Sequence, residues 1–286
     1  MKILCLHGRG SNNDIFQLQT AAFRSELNDF AFEYVQGTVP HTEGNWSLYT
    51  AAFPDTPLYG YYNPLQPASV TQAEDDLLQL IEQEGPFDGV LAYSGGTALA
   101  AQIIIRDSQK NAFSLPDERP FRFAIFINGV TPLKVIPAQE VKGESLDQSN
   151  DSSLAMEEVS NLLLRDSATR VRKKRSEYDT YDPAAIKQDI ASLESRVTLD
   201  GRPCLSNGIE AITRYHADLD GVLIDIPTLH VRCLEEVDED HGLNLTKLCE
   251  SELVTEYFHK NGEDFPRGHT EMKRIAQLIR GTAERA

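Results

Sequence analysis

No run of this sequence approaches the roughly 20 consecutive apolar residues that a membrane-spanning helix requires, so a helical membrane protein is excluded as a reading. Met1-Lys2 leads directly into the strand-like Ile3-Leu4-Cys5-Leu6 without a signal-peptide pattern, and the folded part is expected to begin at once. Basic residues are scarce: 27 Lys and Arg stand against 44 Asp and Glu, a formal charge of -17. Nucleic-acid binders normally present a basic surface, which sets that class aside; the acidity favours solubility and an uncharged or weakly charged substrate but names no partner. The four cysteines, Cys5, Cys204, Cys233 and Cys249, make neither a disulfide framework nor a metal-ligand spacing. Cys5 and Cys233 fall in strand-like runs and read as small core residues, in keeping with a reduced, cytoplasmic setting and no metal or other cofactor. A dinucleotide fingerprint is missing too. Gly8 and Gly10 start one, but the third glycine would fall at Asn13.

What is present is an alternation. In 286 residues, 41% hydrophobic and 25% charged, short apolar runs alternate with amphipathic ones, the mark of βαβ units around a mainly parallel sheet. Residues 1–286 are read as one α/β domain. Strands are expected at Lys2 to Leu6, Phe30 to Val35, Gly89 onward, Phe121 to Ile127, Ile226 to Val231 and Leu253 to Phe258. Helices are expected at Ile15 to Leu27, Val70 to Glu84 (capped by Ser69 or Thr71), Thr97 to Asp107 and Glu271 to Ala283. Two stretches break the pattern. Gly37 to Ala68 is rich in Pro, Gly and aromatics (Trp46, Tyr49, Phe53, Tyr59, Tyr61, Tyr62), and a loop of that length in a compact domain is usually functional. About 137–220 is polar, interrupted and mostly helical in pattern, and is read as a helical cap or lid inserted into the sheet. Its basic run, Arg170 to Arg175, reads as a solvated helix face.

The most informative segment is Ala92-Tyr93-Ser94-Gly95-Gly96, lying between an apolar strand run and the helical Thr97-Ala98-Leu99-Ala100-Ala101. A serine on a sharp strand-to-helix turn, relieved by glycines, is how an α/β-hydrolase exposes a nucleophilic oxygen above its sheet. Ala92 replaces the first glycine of G-x-S-x-G, a substitution the steric requirement tolerates. A serine hydroxyl needs a base, and the base needs an acid to fix its tautomer. In this fold class the chain order is Ser, acid, His, which leaves His259 and His269 as candidate bases. His269 sits in the turn-rich Pro266-Arg267-Gly268-His269-Thr270-Glu271 between the last strand and last helix, the usual place for the base. The acid is expected after the strand ending near Cys233, where Glu235, Glu236, Asp238, Glu239 and Asp240 crowd together. Oxyanion N–H groups are expected from Gly95 and from the loop after the first strand, at Arg9 or, second, Gly10.

These segments resemble the fungal FSH serine hydrolases, relatives of short carboxylesterases that include free-standing thioesterases releasing polyketide products. The likeness is carried by Ile3-Leu4-Cys5-Leu6-His7-Gly8-Arg9-Gly10-Ser11-Asn12, Gly85-Pro86-Phe87-Asp88-Gly89-Val90-Leu91-Ala92-Tyr93-Ser94-Gly95-Gly96, Phe123 to Gly129 and Ile226 to Val231. The resemblance implies Ser94 as nucleophile, His269 as base and an acid at Glu236 if no gap intervenes, or at Asp238 if the loop is two residues longer. It implies a small acyl ester or thioester as substrate, an acyl carrier protein or polyketide synthase as partner, and neither nucleic acid nor membrane. Gly95 stands where the family usually has glutamine. A general carboxylesterase, acyl transfer giving a lactone, and a catalytically silent ligand-binding protein are the competing expectations.

Overall fold

The computed structural model describes residues 1–40, 56–111, 115, 118–142, 188–233, 242–262 and 264–286. Six parallel strands form the central sheet: β1 (Lys2–Leu6), β2 (Ala31–Val35), β5 (Gly89–Tyr93), β6 (Phe123–Ile127), β11 (Thr228–Cys233) and β12 (Val254–His259). Their order is β12-β11-β6-β5-β1-β2. Between β2 and β5 lies the small pair β3 (Val39–Pro40) and β4 (Tyr59–Gly60).

The inner strands are apolar on both faces because both faces are covered. Ile3, Cys5, Leu91, Tyr93, Phe123, Ile125 and Ile127 point to one side, into a cluster with Phe16, Phe23, Ile275 and Ile279. The alternate residues Leu4, Leu6, Val90, Ala92, Ala124 and Phe126 point to the other side, against Leu77, Leu99, Ile103 and Ile105. Helices α1 (Asn13–Arg24) and α5 (His269–Ala283) therefore cover the first face, and α2 (Pro67–Glu84) and α3 (Gly95–Lys110) the second, with α4 (Leu243–Lys247) between β11 and β12. The stripe Met272, Ile275, Ala276, Ile279 on α5 has helical spacing, and each large buried side chain contributes roughly 1.5–3 kcal/mol. Asn12 caps α1, its side chain accepting from Ile15 N at 2.9 Å. Helix α2 starts at Pro67, ahead of the expected Val70; Ser69 is inside it, its hydroxyl accepting from Asn63 N instead of capping. Among the described residues no helix is long and apolar enough to cross a membrane.

The expected helical cap is corrected on its described part. There β7 (Leu133–Pro137), β8 (Glu194–Val197), β9 (Pro203–Ser206) and β10 (Glu210–Arg214) form an antiparallel sheet in the order β7-β10-β9-β8. Asn207-Gly208 turns β9 into β10, with Gly208 at φ 87, a hairpin signal masked in the sequence by strands of only four or five residues. Leu133, Leu205 and Ile212 bury one face against Leu65 and Val70. Asp220 ties this sheet down by pairing with both Lys134 and Arg202. The run Arg170 to Arg175 lies outside the described residues, as do Trp46, Tyr49 and Phe53.

Strand β1 has β2 on one side and β5 on the other, so the chain reverses its direction of travel across the sheet between β1 and β5. In open α/β sheets, ligands bind at the carboxyl ends of the strands flanking such a switch point. Ser94 and the loop His7-Gly8-Arg9-Gly10 occupy those two ends.

Candidate active site

Ser94 follows β5 at φ 47 and ψ -122, the left-handed side of the map that a non-glycine residue avoids. Such a conformation persists only where the surroundings over-determine it. Ser94 N donates to Ile127 O at 2.9 Å, while Thr97 donates to Ser94 O from its N at 2.8 Å and from its hydroxyl at 2.6 Å. The Thr97 hydroxyl in turn accepts from Val130 N at 2.8 Å. The elbow is thus sewn to the end of β6 from both sides.

The glycines after Ser94 have separate jobs. A Cβ at Gly96 would stand 2.6 Å from both Leu6 O and His7 O, so only glycine lets α3 start against the end of β1. A Cβ at Gly95 would stand 3.1 Å from Arg9 Cβ and 3.2 Å from Arg9 N. The two expected oxyanion donors, Arg9 and Gly95, are therefore neighbours across the switch point. Gly10 is turned away, its N donating to Tyr59 O at 2.9 Å.

His7 is fully buried beneath that loop. Its Nδ1 lies 2.8 Å from Gly8 O, and Gly37 N donates to its Nε2 at 3.0 Å. With Nε2 accepting, the proton is on Nδ1, which donates to Gly8 O. Burial lowers the imidazole to about 4, so the ring is neutral at ordinary pH. Tyr61 braces it: its hydroxyl accepts from His7 N at 2.8 Å and donates to Val35 O at 2.9 Å, and the two rings are 4.8 Å apart.

The histidines proposed as bases have unequal surroundings. His259, at the end of β12, is buried; its Nε2 donates to Asn128 Oδ1 at 2.7 Å and its Nδ1 accepts from Asn261 N at 3.2 Å. Asn128 Nδ2 also donates to Asp264 O at 3.2 Å, and Asn128 itself sits at φ 45, one residue past Ile127. Phe265, further along the same loop, packs edge-on to Tyr93 at 5.3 Å, directly before Ser94. His269 opens α5 and is exposed; neither its ring nor Ser94 Oγ makes a hydrogen bond among the described residues. The structure brings Ser94, Gly95 and Arg9 together, and links the loop of His269 to them through Phe265 and Asn128 without joining His269 to Ser94. Glu236 and Asp238, with the other acid candidates, lie outside the described residues.

His230 is the core imidazole expected of its strand, held between the Thr228 and Thr246 hydroxyls at 3.1 Å each and lowered by burial to about 3. Sequence reasoning passed over Asn128, Phe265 and the ring of His7. Asn128-Gly129 after a strand is the kind of pair that enters the left-handed region, and so carried a signal. Phe265 carried little, being one aromatic in a polar loop.

The family model described as serine hydrolase (FSH1) matches residues 1–275. Esterase FPY3 of Fusarium mangiferae is 40% identical over 147 residues, which span 50% of this chain and 64% of that protein. Hydrolase FUB4 of Fusarium oxysporum f. sp. lycopersici is 25% identical over 98% of this chain and 97% of its own length. Esterase alnB of Emericella nidulans is 23% identical over 95% and 93%. Among solved structures, alpha/beta hydrolase domain-containing protein 10 from mouse aligns with 99% of this chain and 89% of its own at a TM-score of 0.47 and 11% identity.

Proposed function

Because the chain belongs to the serine hydrolase (FSH1) family and has an α/β-hydrolase fold, we propose that it cleaves an ester or thioester of a small acyl molecule through an acyl-Ser94 intermediate. The observation that carries this reading is the elbow: Ser94 held at φ 47, with the first turn of α3 on one side and Arg9 N on the other. Ser94 Oγ attacks the acyl carbonyl carbon as its proton passes to the base. The oxyanion of the tetrahedral intermediate faces the N–H groups of Gly95 and Arg9. Collapse expels the thiol or alcohol, which takes the proton from the base. Water then repeats the sequence and releases the acid.

His269 is assigned as the base, since both ring nitrogens of His259 are already engaged. The assignment requires the exposed His269 ring to turn inward when substrate binds. Glu236 or Asp238 then supplies the acid. Relatives named esterase support ester cleavage; the resemblance to the FSH thioesterases extends the proposal to a cytoplasmic enzyme that releases an acyl or polyketide chain from a carrier protein. One observation favours a catalytically silent binding protein, namely the lack of a hydrogen bond between Ser94 and His269.

A fluorophosphonate probe with peptide mapping separates the two. Stoichiometric labelling at Ser94, and loss of p-nitrophenyl ester turnover in Ser94→Ala, are expected; an unlabelled, folded protein would reject the enzyme. His269→Ala should lower kcat by roughly 10³-fold or more, as removing a triad member does. A greater loss in His259→Ala would move the base to His259. Parallel acyl-thioester and oxygen-ester assays then decide between thioesterase and carboxylesterase.

A further inference from the structure

We propose that His7 is a positioning residue whose ring holds the Gly8–Arg9 peptide with its N–H turned toward an oxyanion on Ser94; this assignment rests on the acyl-Ser94 reading above. The peptide bond is planar and trans, so the Gly8 carbonyl and the Arg9 N–H point in opposite directions. Fixing one fixes the other. His7 Nδ1 takes the Gly8 carbonyl at 2.8 Å. Arg9 N lies on the elbow side, 3.2 Å from where a Cβ on Gly95 would stand.

The peptide needs such a lock. Gly8 is glycine because a Cβ there would come within 3.0 Å of the Tyr93 ring and 3.3 Å of Ser94 Cβ. The same missing side chain leaves its backbone free to adopt both signs of φ, so the Gly8–Arg9 plane can turn over. Turned over, it would present a carbonyl oxygen where the developing negative charge must go. The ring itself is anchored on its far side: Gly37 N donates to Nε2, and Gly37 is fixed in turn, since a Cβ there would stand 2.5 Å from Gly60 O. Tyr61 closes the remaining face. An acceptor role for Nε2 and a donor role for Nδ1 are both needed, and one neutral tautomer supplies both.

Two amide substitutions split those roles. In His7→Asn the amide nitrogen falls near the place of Nδ1 and keeps a donor for Gly8 O. In His7→Gln the amide reaches the place of Nε2, keeping the Gly37 contact and losing the Gly8 one. Steady-state p-nitrophenyl butyrate hydrolysis, fluorophosphonate labelling and Tm are measured for both, beside Ile279→Val, a buried-core truncation on α5 that serves as the control for lost stability. His7→Gln should lose on the order of 100-fold in kcat, the scale of one oxyanion donor, with KM within about threefold. His7→Asn should recover most of it, and Ile279→Val should keep its kcat. Equal losses in His7→Asn and His7→Gln, or losses that track Tm alone, would overturn the assignment while leaving Ser94 as nucleophile. A parent protein that neither labels nor turns over would overturn the acyl-Ser94 reading, and this assignment with it.

Discussion

The two ends of the proposed site are built by different means. At the nucleophile's end the functional atoms belong to, or adjoin, the backbone, and backbone contacts hold them: Ser94 N to Ile127 O, Ser94 O to Thr97, and Gly96 seated on the carbonyls of Leu6 and His7. At the other end the chemistry needs a side chain. The loop between β12 and α5 is clamped at its root by Asn128, His259 and Phe265, yet His269 stands exposed four residues beyond the last of these. A rigid oxyanion cradle costs no reorganisation during the reaction, whereas a base that must turn inward contributes only in the fraction of molecules where it has done so. The nucleophile's end should accordingly tolerate almost no change, and the other end should respond in degrees.

Gly96→Ala is the harshest test of that contrast. Its Cβ would meet two backbone oxygens at 2.6 Å, and no flexible side chain can give way. We expect activity to be lost outright, with destabilisation of about 3 kcal/mol or more, the upper range for overpacking. Gly95→Ala, whose Cβ would sit 3.1 Å from Arg9 Cβ, should cost less stability while still lowering kcat. Thermal melts and ester turnover on both variants check this. A fully active Gly96→Ala would show that the end of β1 is softer than its packing implies.

Asn128 probes the other end. Replacing it by alanine would mix two effects, loss of the side chain and strain at φ 45. Asn128→Gly removes the side chain alone, freeing His259 Nε2–H and the carbonyl of Asp264. A fall in kcat of roughly tenfold is expected, with a stability loss of about 1–3 kcal/mol for the buried groups left unpaired. An unchanged kcat at lowered Tm would mean that the position of this loop does not govern the base.

These contrasts also explain what the sequence could disclose. The six strands were legible because the inner ones are apolar throughout and the helices that follow strands carry clean amphipathic stripes such as Met272, Ile275 and Ile279. The elbow was legible because a serine between a buried strand and glycines has few other uses. The sheet of β7 to β10 was not, since strands of four or five residues with one buried face resemble broken helix; its hairpin signs were the turn pairs Asp200-Gly201 and Asn207-Gly208, both glycines at positive φ. Within the site, His7 and Asn128 act through contacts 30 and 131 residues away, with Gly37 and His259. Local periodicity carries no record of such pairings.

The remaining prediction concerns acid. His7 lies under the nucleophile's loop and His230 in the core at β11, beside Thr228 and Thr246, and burial lowers them to about 4 and about 3. In the unfolded chain both take up protons near pH 6.5. Between pH 6.5 and about 4 the unfolded state therefore binds more protons than the folded one, and stability falls as the pH drops. The loss should be on the order of 2 kcal/mol per histidine at pH 5, with the contribution of His7 levelling off below about pH 4 and that of His230 continuing to about pH 3. Urea unfolding at pH 7.5 and pH 5 measures it. His7→Asn should remove about half of the difference, leaving the share of His230. If the variant's pH dependence matched the parent's, the His7 ring would not be held neutral in the folded protein, and the donor and acceptor roles assigned to its two nitrogens would fail together.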